Sequence, residues 1–150
     1  MTFTRDRDGY TLSDNPALLD QDSIFANLKK SYWANGREPH TQRIANQNSL
    51  CFGVYCDGAQ IGFARCVTDY ATFAYLADVY VEETHQGRGI GRWLVESVHA
   101  HPRLQGLRRW SLATRDAHGL YEKFGWKPLS NTSRWMEIFD ANANPPLATT

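Results

Sequence analysis

Apolar residues recur at strand spacing in three runs between Leu50 and Val81. Leu50 to Cys56 alternates, Asp57-Gly58 is a hairpin signal, and Gln60 to Val67 reads as the partner strand. Phe73 to Val81 is a third, longer run, so this region predicts an antiparallel meander. Upstream, Gly9 to Ser13 reads as a short strand. Asp20-Gln21-Asp22-Ser23 offers helix-starting side chains, with Ile24, Phe25, Leu28 and Tyr32 following at helical spacing and Asn35-Gly36 as a stop. A shorter helix is expected over Thr41 to Asn46. Downstream, the pattern predicts a helix from Ile90 to His101, ended by Pro102, and a strand from Trp110 to Thr114. A helix from Asp116 to Phe124 follows, with Gly125 as its stop and Asp116 as its N-cap. Trp135 to Phe139 is expected to close the domain as a strand. The order implies a mixed α/β (α+β) fold, with helices on both faces of one mostly antiparallel sheet. One domain is expected over residues 1–140, with a frayed tail over 141–150.

The 150-residue length suits one domain with its own core, and 42% hydrophobic and 13% aromatic residues argue against disorder. Net charge is zero, so nothing global favours nucleic acid or an anionic membrane as partner. No apolar run is long enough to span a bilayer, and the polar start Met1-Thr2-Phe3-Thr4-Arg5-Asp6 gives no sign of a signal peptide, so a cytoplasmic location is expected. Cys51, Cys56 and Cys66 are odd in number and lie within strand-like sequence, which fits reduced core thiols. No CxxC pair exists, and His99 and His101 are two apart on a helix, so no metal site is expected.

Between the strand run ending at Val81 and the helix beginning at Ile90 lies Gln86-Gly87-Arg88-Gly89-Ile90-Gly91. Three glycines at alternate positions let backbone N–H groups converge at the positive end of the next helix, which suits an anion, most naturally a phosphate. The string GxxxxGK[ST] is absent, which excludes a nucleotide-triphosphate loop. A dinucleotide fingerprint is broken by Arg92 in place of its third glycine, and the turn follows about the fourth strand rather than the first.

The segment Gln86 to Gly91 resembles the Q/R-x-x-G-x-G/A signature of the GNAT superfamily of N-acetyltransferases. Leu76-Ala77-Asp78-Val79-Tyr80-Val81 looks like that family's pantetheine-binding strand, and Gly119-Leu120-Tyr121-Glu122-Lys123-Phe124-Gly125-Trp126 like its LYEKxGF segment with Trp126 for Phe. The resemblance implies a GNAT-like fold and acetyl-CoA as co-substrate. Its pyrophosphate would rest on the N–H groups of Gln86, Gly87, Arg88, Gly89, Ile90 and Gly91, with Arg88 and Arg92 adding positive charge. Its pantetheine arm would pair like an extra strand with Val79, Tyr80 and Val81, where one backbone N–H would polarise the thioester carbonyl. Thr114 stands where many members carry a cofactor-positioning Asn, and Lys123 is a candidate for the phosphates.

The resemblance gives Tyr121 the role of donor to the departing thiolate. An alkyl ammonium is only about one part in two thousand neutral at pH 7, so a base or a desolvating site is needed. Asp78 is the candidate base: it is the one carboxylate in the apolar run 73–81, alternation puts it with Leu76 and Tyr80, and burial would raise its pKa. A role in ordering the strand competes with this one. Glu82 and Glu83 are alternative bases. Acceptor choice is expected in 28–48 and 68–72, where Tyr32, Trp33 and Tyr70 are candidate walls. The implied function is N-acetylation of a primary amine on a small molecule or peptide, by direct attack. O-acetylation or a longer acyl donor stays open, and the alternative is a non-catalytic CoA-binding or sensory module. A homodimer is the family's common default.

Overall fold

The computed structural model of the chain describes residues 1–148. Its elements run β1 (Thr4–Arg7), β2 (Tyr10–Ser13), α1 (Gln21–Leu28), α2 (Pro39–Gln47), β3 (Leu50–Cys56), β4 (Ala59–Thr68), β5 (Phe73–Val81), α3 (Ile90–His99), β6 (Arg109–Ser111) and α4 (His118–Glu122). The six strands form one sheet in sequence order. Neighbours are antiparallel except β5 and β6, which run parallel. The mixed α/β class and the mostly antiparallel sheet are as expected.

Two of the hairpins use the same chemistry. Asp8 and Gly9, and again Asp57 and Gly58, both take positive φ (50° and 86°; 50° and 80°), the turn that matches strand twist. The β1 strand has no apolar pattern because it is the sheet edge: Thr-Arg-Asp-Arg is mostly exposed, and such charges discourage further pairing. Asp20 caps α1 by accepting from the Ser23 N–H at 3.0 Å.

Two apolar clusters cover the two faces of the sheet. Ile90, Trp93, Leu94, Val95 and Val98 of α3 pack on Leu12, Phe52, Val54 and Leu76. On the other face Ile24 and Leu28 of α1 meet Ala34, Cys51 and Phe63. Cys51 and Cys66 are buried free thiols, and burial pushes both up to about 12, so neither offers a reactive thiolate. The helix α3 ends at His99 rather than at His101, and both histidines pack inward: His101 contacts Asp14 at 2.8 Å, and His99 accepts from the Trp126 indole at 3.0 Å.

Two expectations need correction. No strand forms over Trp135 to Phe139; Met136, Ile138 and Phe139 are exposed. Alternation supplies an apolar strip, but a strand needs a paired edge, and the chain instead runs on until Leu147 N–H donates to Asn35 Oδ1 at 2.6 Å. Asp116 is not the N-cap of α4. Ala117 holds that position without a side-chain cap, and Thr114 Oγ1 accepts from the Ala117 N–H at 3.0 Å.

Candidate active site

The sheet opens where β5 and β6 part. They pair only through Phe73–Tyr75 and Arg109–Ser111, which leaves the outer edge of β5 beyond Tyr75 free of a strand neighbour. The other edge of β5 carries a β-bulge against β4. Phe63 pairs with Tyr80 but Arg65 with Ala77, so β5 carries one extra residue there, and Asp78 takes φ 54°. The bulge breaks the expected alternation. Leu76 packs beneath α3 and Tyr80 in the α1 cluster, while Asp78 bonds to Trp33 and Arg37 from the α1–α2 connection. Asp78 therefore does not share a face with Leu76.

A cavity of about 620 Å³ fills this opening, lined by Tyr32, Trp33, Arg37, Arg65, Tyr75 to Val79, Leu112 to Ala117 and Tyr121. A second recess, about 710 Å³, lies alongside and includes Tyr80, Val81, Glu82, Glu83 and Gln86. Tyr32, Trp33, Arg115 and Asp116 line both. Between the two, the Arg115 N–H donates to Tyr32 Oη at 2.9 Å, and the Arg115 guanidinium lies 3.8 Å from the Tyr32 ring centroid.

At one end of the opening the glycine turn leads into α3. Gly87 and Gly89 take φ 78° and 76°, and Gly89 is the N-cap, so no side chain caps this helix. Among the described residues nothing accepts from the N–H groups of 87–92. A Cβ on Gly87 would meet nothing within 4 Å, and one on Gly91 would meet only Val81 at 4.0 Å. The turn is thus a bare backbone cradle at a positive helix end, which fits a pyrophosphate. Arg88 turns away to donate to Tyr10 Oη at 3.0 Å, whereas Arg92 is exposed. Arg7 of β1, not singled out in the sequence, lies 3.7 Å from the Cβ position of Gly89.

Asp78 is the most heavily bonded side chain in the opening, with its side chain 1% exposed. Oδ1 accepts from Trp33 Nε1 at 2.9 Å and Arg37 Nη1 at 3.0 Å. Oδ2 accepts from Arg37 Nη1 at 2.9 Å, Arg65 Nε at 2.8 Å and Gln42 Nε2 at 3.2 Å. Burial alone would raise this carboxyl, but the Arg65 and Arg37 guanidiniums and the hydrogen bonds from Arg65 and Trp33 outweigh it, and the carboxyl is held below its usual range. The shift runs opposite to the one expected of a buried base. Arg65 had a sequence signal: it is the only charged residue in the β4 run Ile61 to Val67.

Tyr121 of α4 is 8% exposed and lines the 620 Å³ cavity. Burial pushes its phenol up to about 12, with the Tyr32 phenol adding to the rise. Glu82 accepts from Asn27 Nδ2 at 2.9 Å, and Glu83 is exposed. Lys123 is exposed at the C-cap of α4 and lines neither of these recesses. Tyr70 does not come to the opening: it sits in a loop at φ 61°, with the Arg103 guanidinium 3.7 Å from its ring centroid. Among the described residues no cluster suited to a metal ion forms, and no helix is long and apolar enough to cross a membrane.

Residues 47–128 match the model of the acetyltransferase (GNAT) domain. Several similar proteins carry the name "putative acetyltransferase". One, from Gibberella zeae, is 35% identical over 78% of this chain and 78% of its own length. Another, a GNAT-family crystal structure from Xanthomonas campestris pv. campestris, is 44% identical with a TM-score of 0.86, covering 90% of this chain and 96% of its own. A Clostridium acetobutylicum structure with acetyl-CoA shares the fold at 16% identity and a TM-score of 0.59, over 93% of this chain and 96% of its own. The chain belongs to the GNAT family of acetyltransferases.

Proposed function

We propose that the protein is an acetyl-CoA-dependent N-acetyltransferase acting on a primary amine of a small molecule or peptide. The observation that carries this reading is a pair of adjoining recesses along β5: one holds Tyr121 beside the free edge of β5, and the other reaches Gln86 at the start of the bare glycine cradle. Bound acetyl-CoA supplies the activated acetyl carbonyl and a thiolate leaving group. The N–H groups of 87–92 hold its pyrophosphate, with Arg92 and Arg7 as nearby cations. Val79, Tyr80 and Val81 offer backbone groups to the pantetheine arm. The bulge leaves Asp78 and Val79 unpaired with β4, and a backbone N–H there polarises the carbonyl, a donor typically worth about 2.7–4 kcal/mol.

The amine lone pair attacks the carbonyl carbon, the C–S bond breaks, and the proton lost by nitrogen ends on the thiol or in water. Tyr121 assists as a hydrogen-bond donor. A phenol near 12 is a weaker acid than a thiol at about 8.5, so complete transfer of its proton to the thiolate is uphill. Asp78, ionised and fully bonded, shapes the opening instead of removing the proton. The acceptor then reaches its neutral form through solvent, and rate follows the acceptor's own pKa.

A homodimer is supported by the C-terminal strip. Beside β6 lies an apolar slot of about 440 Å³ lined by Trp110, Leu112, Trp126, Leu129 and Trp135, with the buried, unpartnered Ser111 hydroxyl. The strip beyond Trp135 stays out of it: Trp135 lines the slot beside Arg109, while Met136, Ile138 and Phe139 are exposed and Leu147 is fixed to Asn35. The slot accepts the same strip of a second copy.

The transferase reading is tested by incubating the protein with acetyl-CoA and a panel of amines, following free thiol and identifying the product by mass. Amine-dependent thiol release matched by an N-acetyl product supports it. CoA binding without turnover on any amine supports the non-catalytic module instead.

A further inference from the structure

Two cations converge on one anion at the wall of the 620 Å³ cavity. Arg37 comes from the α1–α2 connection and Arg65 from β4; each meets Asp78 Oδ2, at 2.9 and 2.8 Å. The carboxylate is saturated by five hydrogen bonds. The guanidiniums are not. Each carries five N–H donors, yet Arg37 bonds only through Nη1, and Arg65 only through Nε and Nη1, the latter to Ser49 at 3.3 Å. Among the described residues, both Nη2 groups and the Arg37 Nε have no partner. The side chains are 20% and 13% exposed, and both line the cavity that Tyr121 and Val79 also line. The other cavity charges, Arg115 and Asp116, oppose one another at 3.9 Å and are mostly exposed.

One positive charge is therefore left over in a partly desolvated wall, with free donors in the planar fork that suits anionic oxygen. A single arginine would have sufficed to brace Asp78, and an unneutralised guanidinium away from bulk water is costly unless something pairs with it. Resting on the acetyltransferase reading above, we infer that the acceptor is an amine bearing an anionic group, a carboxylate or phosphate, and that Arg37 and Arg65 hold that anion while the amine points toward Tyr121. The same surplus charge disfavours acceptors that are only cationic.

The test compares matched acceptors: L-phenylalanine with phenethylamine, and O-phosphoethanolamine with ethanolamine. Each is measured for kcat/KM with acetyl-CoA, and for binding by calorimetry to the protein with CoA present. The anionic member of at least one pair is expected to be preferred at least tenfold, and which pair shows it separates carboxylate from phosphate. Arg37→Gln should collapse that preference toward unity, and Arg37→Lys should recover part of it. A purely structural arginine would change stability and leave the ratio alone. Equal or better use of the uncharged-bodied amines, or a ratio unmoved by Arg37→Gln, overturns the inference while leaving the transferase reading standing. Absence of turnover on every amine defeats that reading instead. The inference about the acceptor falls with it, and the calorimetric preference then decides only whether Arg37 and Arg65 form an anion site: tighter binding of the anionic probes keeps that site and equal binding removes it.

Discussion

Asp78 illustrates how much one residue's role depends on what folds against it. In the sequence it is a lone carboxylate in an apolar strand, the usual profile of a desolvated base. Its fate is set by Trp33 and Arg37 of the α1–α2 connection, Gln42 of α2 and Arg65 of β4, three separate segments, and only Arg65, charged within an apolar run, hinted at them. Asp78→Asn leaves two guanidiniums facing each other without their counter-ion. Denaturant unfolding should show a loss of about 3–5 kcal/mol, the range for breaking a buried pair. Because folding lowers this carboxyl, its contribution is fully present above the ordinary value of about 3.9 and is lost as pH falls through the folded value. Acid unfolding of Asp78→Asn should therefore be shallower than that of the wild type. Tyr121 is the complementary case: its phenol, near 12, stays protonated through the working range. Tyr121→Phe should lower kcat about tenfold to a hundredfold with the acetyl-CoA dissociation constant unchanged, and stopped-flow or steady-state assays with separate CoA titration resolve the two. Nor should the rate at saturating acetyl-CoA show an enzyme limb near pH 7; it should climb toward the acceptor's own pKa.

At the scale of elements, the meander, α1 with its Asp20 cap, and the turn into α3 were legible because their signals are local: alternation, Asp-Gly hairpins, capping side chains and glycines. The β1 strand was not, since Thr-Arg-Asp-Arg carries no apolar period, although Asp8-Gly9 repeats the turn found at Asp57-Gly58. The bulge was invisible for a related reason, because register depends on pairing with β4 rather than on the composition of β5. The start of α3 makes its own prediction. Gly91 has helical backbone, and an added side chain would meet only Val81, so Gly91→Val should fold normally yet intrude where the cofactor lies. A loss of tenfold or more in CoA affinity by calorimetry, with a melting temperature within a few degrees of wild type, is expected; unchanged affinity would remove the phosphate role from this turn.

For the whole molecule, the two faces of the sheet are covered, and the sheet ends differ. At the β1 end a charged strand closes the edge, whereas at the β6 end an apolar slot and an exposed apolar strip lie on the same chain without pairing. Alternation in Trp135 to Phe139 reads as a strand, yet no strand forms there, and the proposed dimer gives the strip a partner in a second copy. Light scattering at micromolar concentration should give twice the chain mass, and Ile138→Lys should shift the protein to the monomer. A wild-type monomer at all concentrations would refute the exchange.

The proposed chemistry joins the glycine cradle, the free edge of β5 and Tyr121: an acetyl group passes from CoA to an amine. The most direct measurement is thiol release from acetyl-CoA with and without amine, in wild type and Tyr121→Phe side by side. Release is expected to require the amine, to equal the N-acetyl product formed, and to fall at least tenfold in the variant while CoA still binds. Release that ignores the amine, or a Tyr121→Phe enzyme as fast as wild type, would contradict it.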